Sequence, residues 1–574
     1  MSELLLKIAE TGTATSPDIE KADIEILPEY RGNSGFFHMK GKNFELLFVK
    51  GVYKDNVRLL SGESPYEAKL LGILAQCAAD TERTLRQTVT LRVFFEEEKV
   101  CVASAEPYQC APWKNDRRDP LIPSPLTPVE RSLGKGDYIS DRHLFTKGPF
   151  AEVLPETLSP LTMSIAAGMP DVFNPLFMSC SIKTVSPSIK LLFGRLFMNM
   201  ANTETIAPAF YEQHDFFLIN YAQNLFNKIK KPSFGIPNDA DLKITDEEIT
   251  ESIRDIAESI AGLSPEHVYG GELSELTALC VMTWEMVYIR LWKSFTSLHK
   301  ALGRGLDDTL RHVYMTRSDS ILNNGYSGLC TLFDPACPPS EVNPCGLKHL
   351  SAEEMHKTLP AAKRISLGKA KYAEKLEAAH RYLHTRDELY LAISALTGKV
   401  RELLMKTGGD LVSNSMIKEP SDIFYFEVKE IRNIMQDEFY GNIPFTIGFR
   451  KWQNTRFAAL CLPYNIYERD VERVTELSKA QLDKSEAERT IPCLSIHHRP
   501  AATANFAAAH SFGLSDVSSL EGSEAVIAES ASLFSFVTEY CSVKNIPLYT
   551  GARFAKLLLD GKKIITSENS ISFE

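Results

Sequence analysis

SASLFSFVTEYCSVKNIPLYTGA, residues 530–552, changes rhythm twice. An apolar turn leads into a helix expected from Ser535 to about Val543. Asn545 follows, and IPLYTGA then reads as a short strand. This is the strand-helix-strand cadence of a small α/β unit. The residue that needs a reason is Phe536, a large aromatic ring at the start of the helix.

The surrounding chain has 574 residues, of which 44% are hydrophobic and 24% charged, so it is long enough for several buried cores. Against 74 acidic residues stand 63 basic ones, a net charge of −11, with no block of Lys and Arg to follow a phosphate backbone. Nucleic acid is therefore not an expected partner. MSELLLKIAE has an acidic residue at Glu3 and too short an apolar run for a signal peptide. No stretch reaches the roughly 18 apolar residues of a membrane span. A cytoplasmic location and no membrane partner are expected. Eleven scattered cysteines suit reduced thiols, and Cys330, Cys337 and Cys345 are spaced too widely for the close pairs of a zinc site.

The expected fold is multidomain α+β. Residues 1–110 alternate β-like runs (FELLFVKGVY, TVTLRVFFEEEKVCVASAEP) with one amphipathic helix, ESPYEAKLLGILAQCAADTERTL, giving a small α+β domain. Residues 111–160 are rich in Pro and read as a connector. Residues 161–488 carry mostly helical periodicity and are expected to be all-α, with Gly408 and Gly409 offering a helix stop. Residues 489–574 return to short strands and helices, a compact α/β domain.

Three stretches together resemble the phosphoenolpyruvate synthase and rifampicin phosphotransferase family. AEVLPETLSPLTMS (151–164) is similar to the family's GEVLPGPVTPLTWS type of entry into its helical domain. RELLMKTGGDLVSNSMIKEPSDIFYFEVKEI (401–431) is similar to a long helix, a Gly and an element of the form pxDvFyLtxdEl. The third stretch is the one quoted at the start. The resemblance implies an ATP-grasp domain, a helical receptor domain and a swivelling β/β/α domain whose phosphohistidine shuttles a phosphoryl group.

In the family that shuttle lies in a segment of the form GGLLSHxAIVAREYGIPAVVG. Laid without a gap on residues 531–551, Ser535 matches the family Ser and Phe536 falls on the catalytic His, while the Arg and Glu that follow become Ser542 and Val543. A phenyl ring has no lone pair with which to take up phosphoryl. A slipped register does not restore the histidine, because none occurs after His510. The ATP end is depleted in the same way. TLRVFFEEEKVCVASAEP (90–107) matches a family strand pair of the form DIEWAIDDGKLYLLQARP, but Arg92, Ser104 and Glu106 stand where a Glu, a Gln and an Arg are implied. A cation in place of a Mg²⁺ carboxylate repels the metal. About 110 residues are too few for a whole ATP-grasp domain, so residues 1–110 are expected to be a remnant of its C-terminal part.

The expected function is that of a degenerate family member without ATP-dependent phosphoryl transfer and without a cofactor or bound metal. It binds a small hydrophobic metabolite in the helical domain, as a binding protein or a repurposed biosynthetic enzyme, with a partner protein of the same pathway as a further expectation. The alternative is one subunit of a split phosphotransferase whose partner supplies the ATP-grasp and phosphohistidine domains. The apolar ligand reading rests on DVFNPLFMSCS, KLLFGRLFMNMA and APAFYEQHDFFLINYAQNLF. Helical spacing assigns most of those residues to helix interfaces instead.

Candidate catalytic residues are His214, in YEQHDFF beside Glu212 and Asp215, and His380 and His384 in EAAHRYLHTRDE. Glu377, His380, His384 and Asp387 fall on one helical face, read as solvated charge because a helix-mounted metal site needs a third ligand that the sequence does not name. His497 and His498 are read as a hinge or surface pair. His510, the last candidate for a displaced phosphohistidine, is expected a strand or more upstream of the family site, which argues against that role.

Overall fold

The computed structural model describes residues 14–108, 144–167, 189–199, 245–358, 369–438 and 443–574, apart from short interruptions within these ranges. It is a mixed α+β protein. In chain order the described helices of eight or more residues are α1 (Ala68–Leu85), α2 (Pro160–Ala167), α3 (Asp246–Gly262), α4 (Glu272–Leu302), α5 (Leu306–Met315), α6 (Lys369–Ser413), α7 (Val428–Met435), α8 (Ile443–Ala458), α9 (Val474–Glu488) and α10 (Phe536–Lys544). The chain divides into two compact units. The first holds residues 1–131, 158–164 and 402–460, and the second holds 132–157, 165–401 and 461–574.

The first unit is built on a seven-stranded antiparallel sheet of β1 (Ala14–Thr15), β2 (Ile24–Arg31), β3 (Ser34–Gly41), β4 (Phe44–Val49), β5 (Val57–Gly62), β6 (Val89–Glu96) and β7 (Lys99–Pro107), in the order β1-β7-β6-β2-β3-β4-β5. Helix α1 supplies the apolar stripe that covers it. Leu71, Leu74, Ala75, Ala78 and Ala79 recur at helical spacing and are buried with Ile24, Ile26, Leu91 and Val93 of the sheet. Each fully buried Leu or Ile of this kind contributes about 1.5–3 kcal/mol.

The segment EPSDIFYFEVKEI is held by paired caps. Glu419 and Asp422 close the short Pro420–Tyr425 turn of helix, and Glu427 and Glu430 cap α7. From α8, Arg450 meets Glu427 at 3.1 Å and Lys451 meets Asp422 at 2.6 Å. This packing corrects the expected helix stop. Helix α6 continues through Gly408 and Gly409 to Ser413, because Gly408 is where the chain returns: a Cβ on it would lie 2.2 Å from the carbonyl oxygen of Pro420.

In the second unit the chain is not all-helical across 161–488. It makes β9 (Ile189–Leu192) and β10 (Arg195–Asn199), which join β8 (Leu144–Thr146) and β13 (Asn465–Tyr467) in a sheet ordered β13-β8-β10-β9, while β11 (Tyr326–Leu329) pairs with β12 (Ser340–Val342). Phe193 and Gly194 form the two-residue turn between β9 and β10 with φ of 51° and 71°. Two positive φ values suit a type I′ hairpin, so the apolar run there folds back as strands.

Residues 489–574 form two four-stranded sheets. One is β14 (Thr490–Pro492), β21 (Ser570–Phe573), β20 (Ile564–Thr566) and β16 (Ala502–Thr503). The other is β15 (Leu494–Ile496), β19 (Leu548–Thr550), β18 (Ala525–Ala528) and β17 (Phe506–Ala509), with β17, β18 and β19 mutually parallel. The expected cadence is present. Ser535 caps α10 by accepting from Thr538 N, and Asn545 ends the helix at φ 60°, a left-handed conformation that Asn tolerates.

Candidate functional site

The loop that leaves β18 and enters α10 is tied into the interior of the second unit. Thr538 Oγ1 donates to Ser532 O at 2.6 Å, and Ala531 N donates to Thr550 Oγ1 at 2.9 Å. Tyr314 OH donates to Leu533 O at 2.7 Å, and Arg386 Nη1 to Phe534 O at 2.5 Å. Phe534 meets Phe295 of α4 edge-on at 5.5 Å between centroids.

Phe536 is fully buried. Its ring meets Tyr390 edge-on at 5.0 Å, and the Arg386 guanidinium lies over it at 4.4 Å. Ser535, at the position matched to the family Ser, is spent on the helix cap. The ring fills its place rather than facing a cleft.

Beneath it lies a charge cluster that the sequence reading missed. Arg317 and Arg386 have no exposed surface, nor does Glu539, and Asp387 is almost fully covered. Arg317 Nη1 stands 3.3 Å from both Glu539 oxygens and Nη2 stands 2.5 Å from Asp387 Oδ2. Arg386 Nη2 donates to Glu539 at 2.8 Å and to Asp387 Oδ1 at 2.6 Å, and Ile321 N also donates to Asp387, at 3.0 Å. Arg317 Nε also donates to the exposed Asp319 at 2.9 Å, so two buried guanidiniums meet two buried carboxylates and a third at the surface. Burial alone would raise the Asp387 carboxyl, but Arg386 and Arg317 outweigh it and hold it below the usual carboxylate range. The same carboxylates keep both guanidiniums protonated above their ordinary value, against the burial that disfavours their charge.

The EAAHRYLHTRDE face is accordingly split, which corrects its reading as a solvated face. Asp387 is in the buried cluster. His380 is half-buried, and its Nε2 is engaged with Val313 O at 3.0 Å and Thr316 Oγ1 at 3.2 Å; burial lowers its proton affinity. His384 and Glu377 are exposed, and His384 meets Asp319 at 3.1 Å and Glu388 at 3.3 Å. Packing of α6 on residues 313–321 turns one end of that face inward. His214 lies outside the described residues, as do DVFNPLFMSCS and APAFYEQHDFFLINYAQNLF. Among the described residues no group of three or more His, Cys, Asp or Glu is placed to hold a metal ion.

In the first unit, Arg92 and Glu106 are exposed and Ser104 is buried, with Arg92 3.8 Å from Glu25. Val543 is half-buried on α10. Ser542 is fully buried; its hydroxyl donates to Thr538 O and stands 2.6 Å from His497 Nε2. One hydroxyl proton cannot serve both acceptors, so His497 is the donor and the pair is a structural tie. Burial, with the positive charge of Arg311, pushes the His497 imidazole down to about 4.

His510 follows the last residue of β17, and Glu529 follows the last residue of β18. The parallel ladder continues through them, with Ser530 N donating to His510 O at 2.9 Å, and His510 Nδ1 lies 2.9 Å from Glu529 Oε2. Sequence reading named His510 without Glu529. The signal available was that AAAH and AVIAES each end an apolar strand on a titratable side chain.

No protein-family model and no curated protein matches the chain. Its physical reading therefore stands on the residues. No described helix is long and apolar enough to cross a membrane.

Proposed function

We propose that this chain is a degenerate relative of the phosphoenolpyruvate synthase and rifampicin phosphotransferase family that has given up phosphoryl relay. It works by binding a small hydrophobic metabolite in its helical middle stretch, as a binding protein or a repurposed biosynthetic enzyme. The observation that carries the first half is Phe536. The position matched to the relay histidine holds a buried ring wedged between Tyr390 and Arg386, with no atom that takes up phosphoryl. The second half rests on the aromatic and Met content of residues 171–226.

A split phosphotransferase requires the helices to receive another protein's swivelling domain. Against it weighs the seating of this chain's own Leu533–Phe536 loop on Tyr314, Arg386 and Phe295. Incubation with radiolabelled ATP or phosphoenolpyruvate is expected to leave no acid-labile phosphate on the protein, and label retained on it would refute the loss of relay. Native mass spectrometry of protein purified from its own source is expected to show a small-molecule adduct. A co-purifying protein in place of any adduct would favour the split assembly.

A further inference from the structure

Side chains of α4 and α6 converge at two levels, two helical turns apart. At the first, Tyr382 OH of α6 reaches both carboxylate oxygens of Asp246, each at 2.9 Å, and Arg290 Nε of α4 stands 3.6 Å from the same group. Arg381 of α6 adds a contact at 3.9 Å. Cation, hydroxyl and carboxylate complete one another there. Two turns further along α4 lies Ser297, and two turns back along α6 lies Lys375, whose Nζ donates to Ser297 Oγ. The cation and the hydroxyl recur at this second level, and the carboxylate does not.

Donors there outnumber acceptors. Lys375 is half-buried, and among the described residues it makes no ion pair and has Ser297 as its one hydrogen-bond partner. Lysine leaves the surface chiefly when paired. The flanking acids of its own helix, Glu374 and Glu377, are exposed and do not meet it. An ammonium carries three N–H groups, so two are unspent. Ser297 Oγ accepts from Lys375, and its own O–H has no acceptor among the described residues. Tyr372 lies one turn before Lys375 on the same face of α6, its ring 5.5 Å from that of His312 between centroids. Its hydroxyl is buried and has no hydrogen-bond partner among the described residues. Polar groups kept from water in this state call for a partner.

We propose that Ser297, Lys375 and Tyr372 bind the carboxylate of a small organic acid, in the role that Asp246 fills two turns away. The Lys375 ammonium supplies the charge, and the Ser297 and Tyr372 hydroxyls supply two further donors. All three side chains stand on α4 and α6, outside residues 171–226, so this site and the apolar-metabolite reading can fail separately.

The test is calorimetry on the full chain near neutral pH and at fixed ionic strength, with benzoate, benzamide and inorganic phosphate as probes. Benzamide keeps the size of benzoate and lacks its charge. Benzoate is expected to bind at least about tenfold more tightly than benzamide, because hydrogen bonds to a charged group are the stronger ones. Lys375→Met is expected to weaken benzoate by about tenfold or more and to leave benzamide unchanged, and Ser297→Ala to weaken benzoate by a smaller factor. Phosphate bound more tightly than benzoate would overturn the carboxylate assignment, as would benzoate binding that survives Lys375→Met. No heat with benzoate at millimolar concentration, or equal binding of benzoate and benzamide, overturns the proposal in a comparison that needs no variant to fold.

Discussion

Glu539→Ala removes one carboxylate from the buried cluster and leaves Arg317 and Arg386 sharing Asp387, with the exposed Asp319 still on Arg317 Nε. Three contacts are lost: the two at 3.3 Å from Arg317 Nη1 and the one at 2.8 Å from Arg386 Nη2. Removing one partner of a buried pair costs about 3–5 kcal/mol, chiefly the desolvation of the charge left behind. Because a chain with two compact units need not unfold in one step, the cost is best read locally. Hydrogen exchange of the α10 amides reports the opening of that helix, and the loss corresponds to acceleration by roughly 10²- to 10⁴-fold if α10 opens with the cluster. Replacing the pair by apolar residues of similar size, Arg386→Met with Glu539→Leu, is expected to cost less than the two single changes together, since no unpaired charge then remains between those two positions. Unchanged exchange in Glu539→Ala, or a double variant as damaged as the sum of its parts, would refute the reasoning that the cluster binds α10 to the helices around it.

Two further outcomes follow from the packing. His299 is buried, its Nδ1 is 2.9 Å from Thr309 Oγ1, and burial lowers it to about 4, as burial lowers His497. A histidine held neutral in the fold takes up its proton first in the unfolded chain, so stability is full above pH ~6.5 and falls between there and about 4. Thermal melts of His299→Gln across that window are expected to show a shallower decline, and an unchanged slope would contradict the assignment. Gly408 and Gly409 are neighbours in α6 with opposite surroundings: the first has Pro420 O 2.2 Å from its Cβ position, the second nothing within 4 Å. Gly409→Ala is expected to raise stability by up to about 1 kcal/mol through helix propensity, and Gly408→Ala to lower it by about 1–3 kcal/mol through the clash. Melting temperatures that move in the same direction for both would show that the close approach does not constrain α6.

Local order was legible where the chain states its own constraints. The cap at Ser535, the extent of α10, the left-handed Asn545 and the strand that follows can be read from residue order, because capping hydroxyls and left-handed Asn act within a few residues. The amphipathic stripe of α1 was readable for the same reason. The reading went astray where neighbours distant in sequence decide. Gly408 reads as a stop until Pro420 is placed against it, and the apolar run 189–199 reads as helix until its turn takes two positive φ values.

That residue 536 is a phenylalanine, and that no histidine follows His510, is a matter of sequence alone. Only the tertiary structure could show what surrounds that ring. Arg317, Arg386, Asp387 and Glu539 look like ordinary surface charges in sequence, where burial and pairing leave no periodic mark. They become a closed cluster only when α6, α10 and the segment after α5 meet. His510 likewise acquires Glu529 only through the parallel pairing of two strands, since a ladder joins residues that chain order keeps nineteen positions apart.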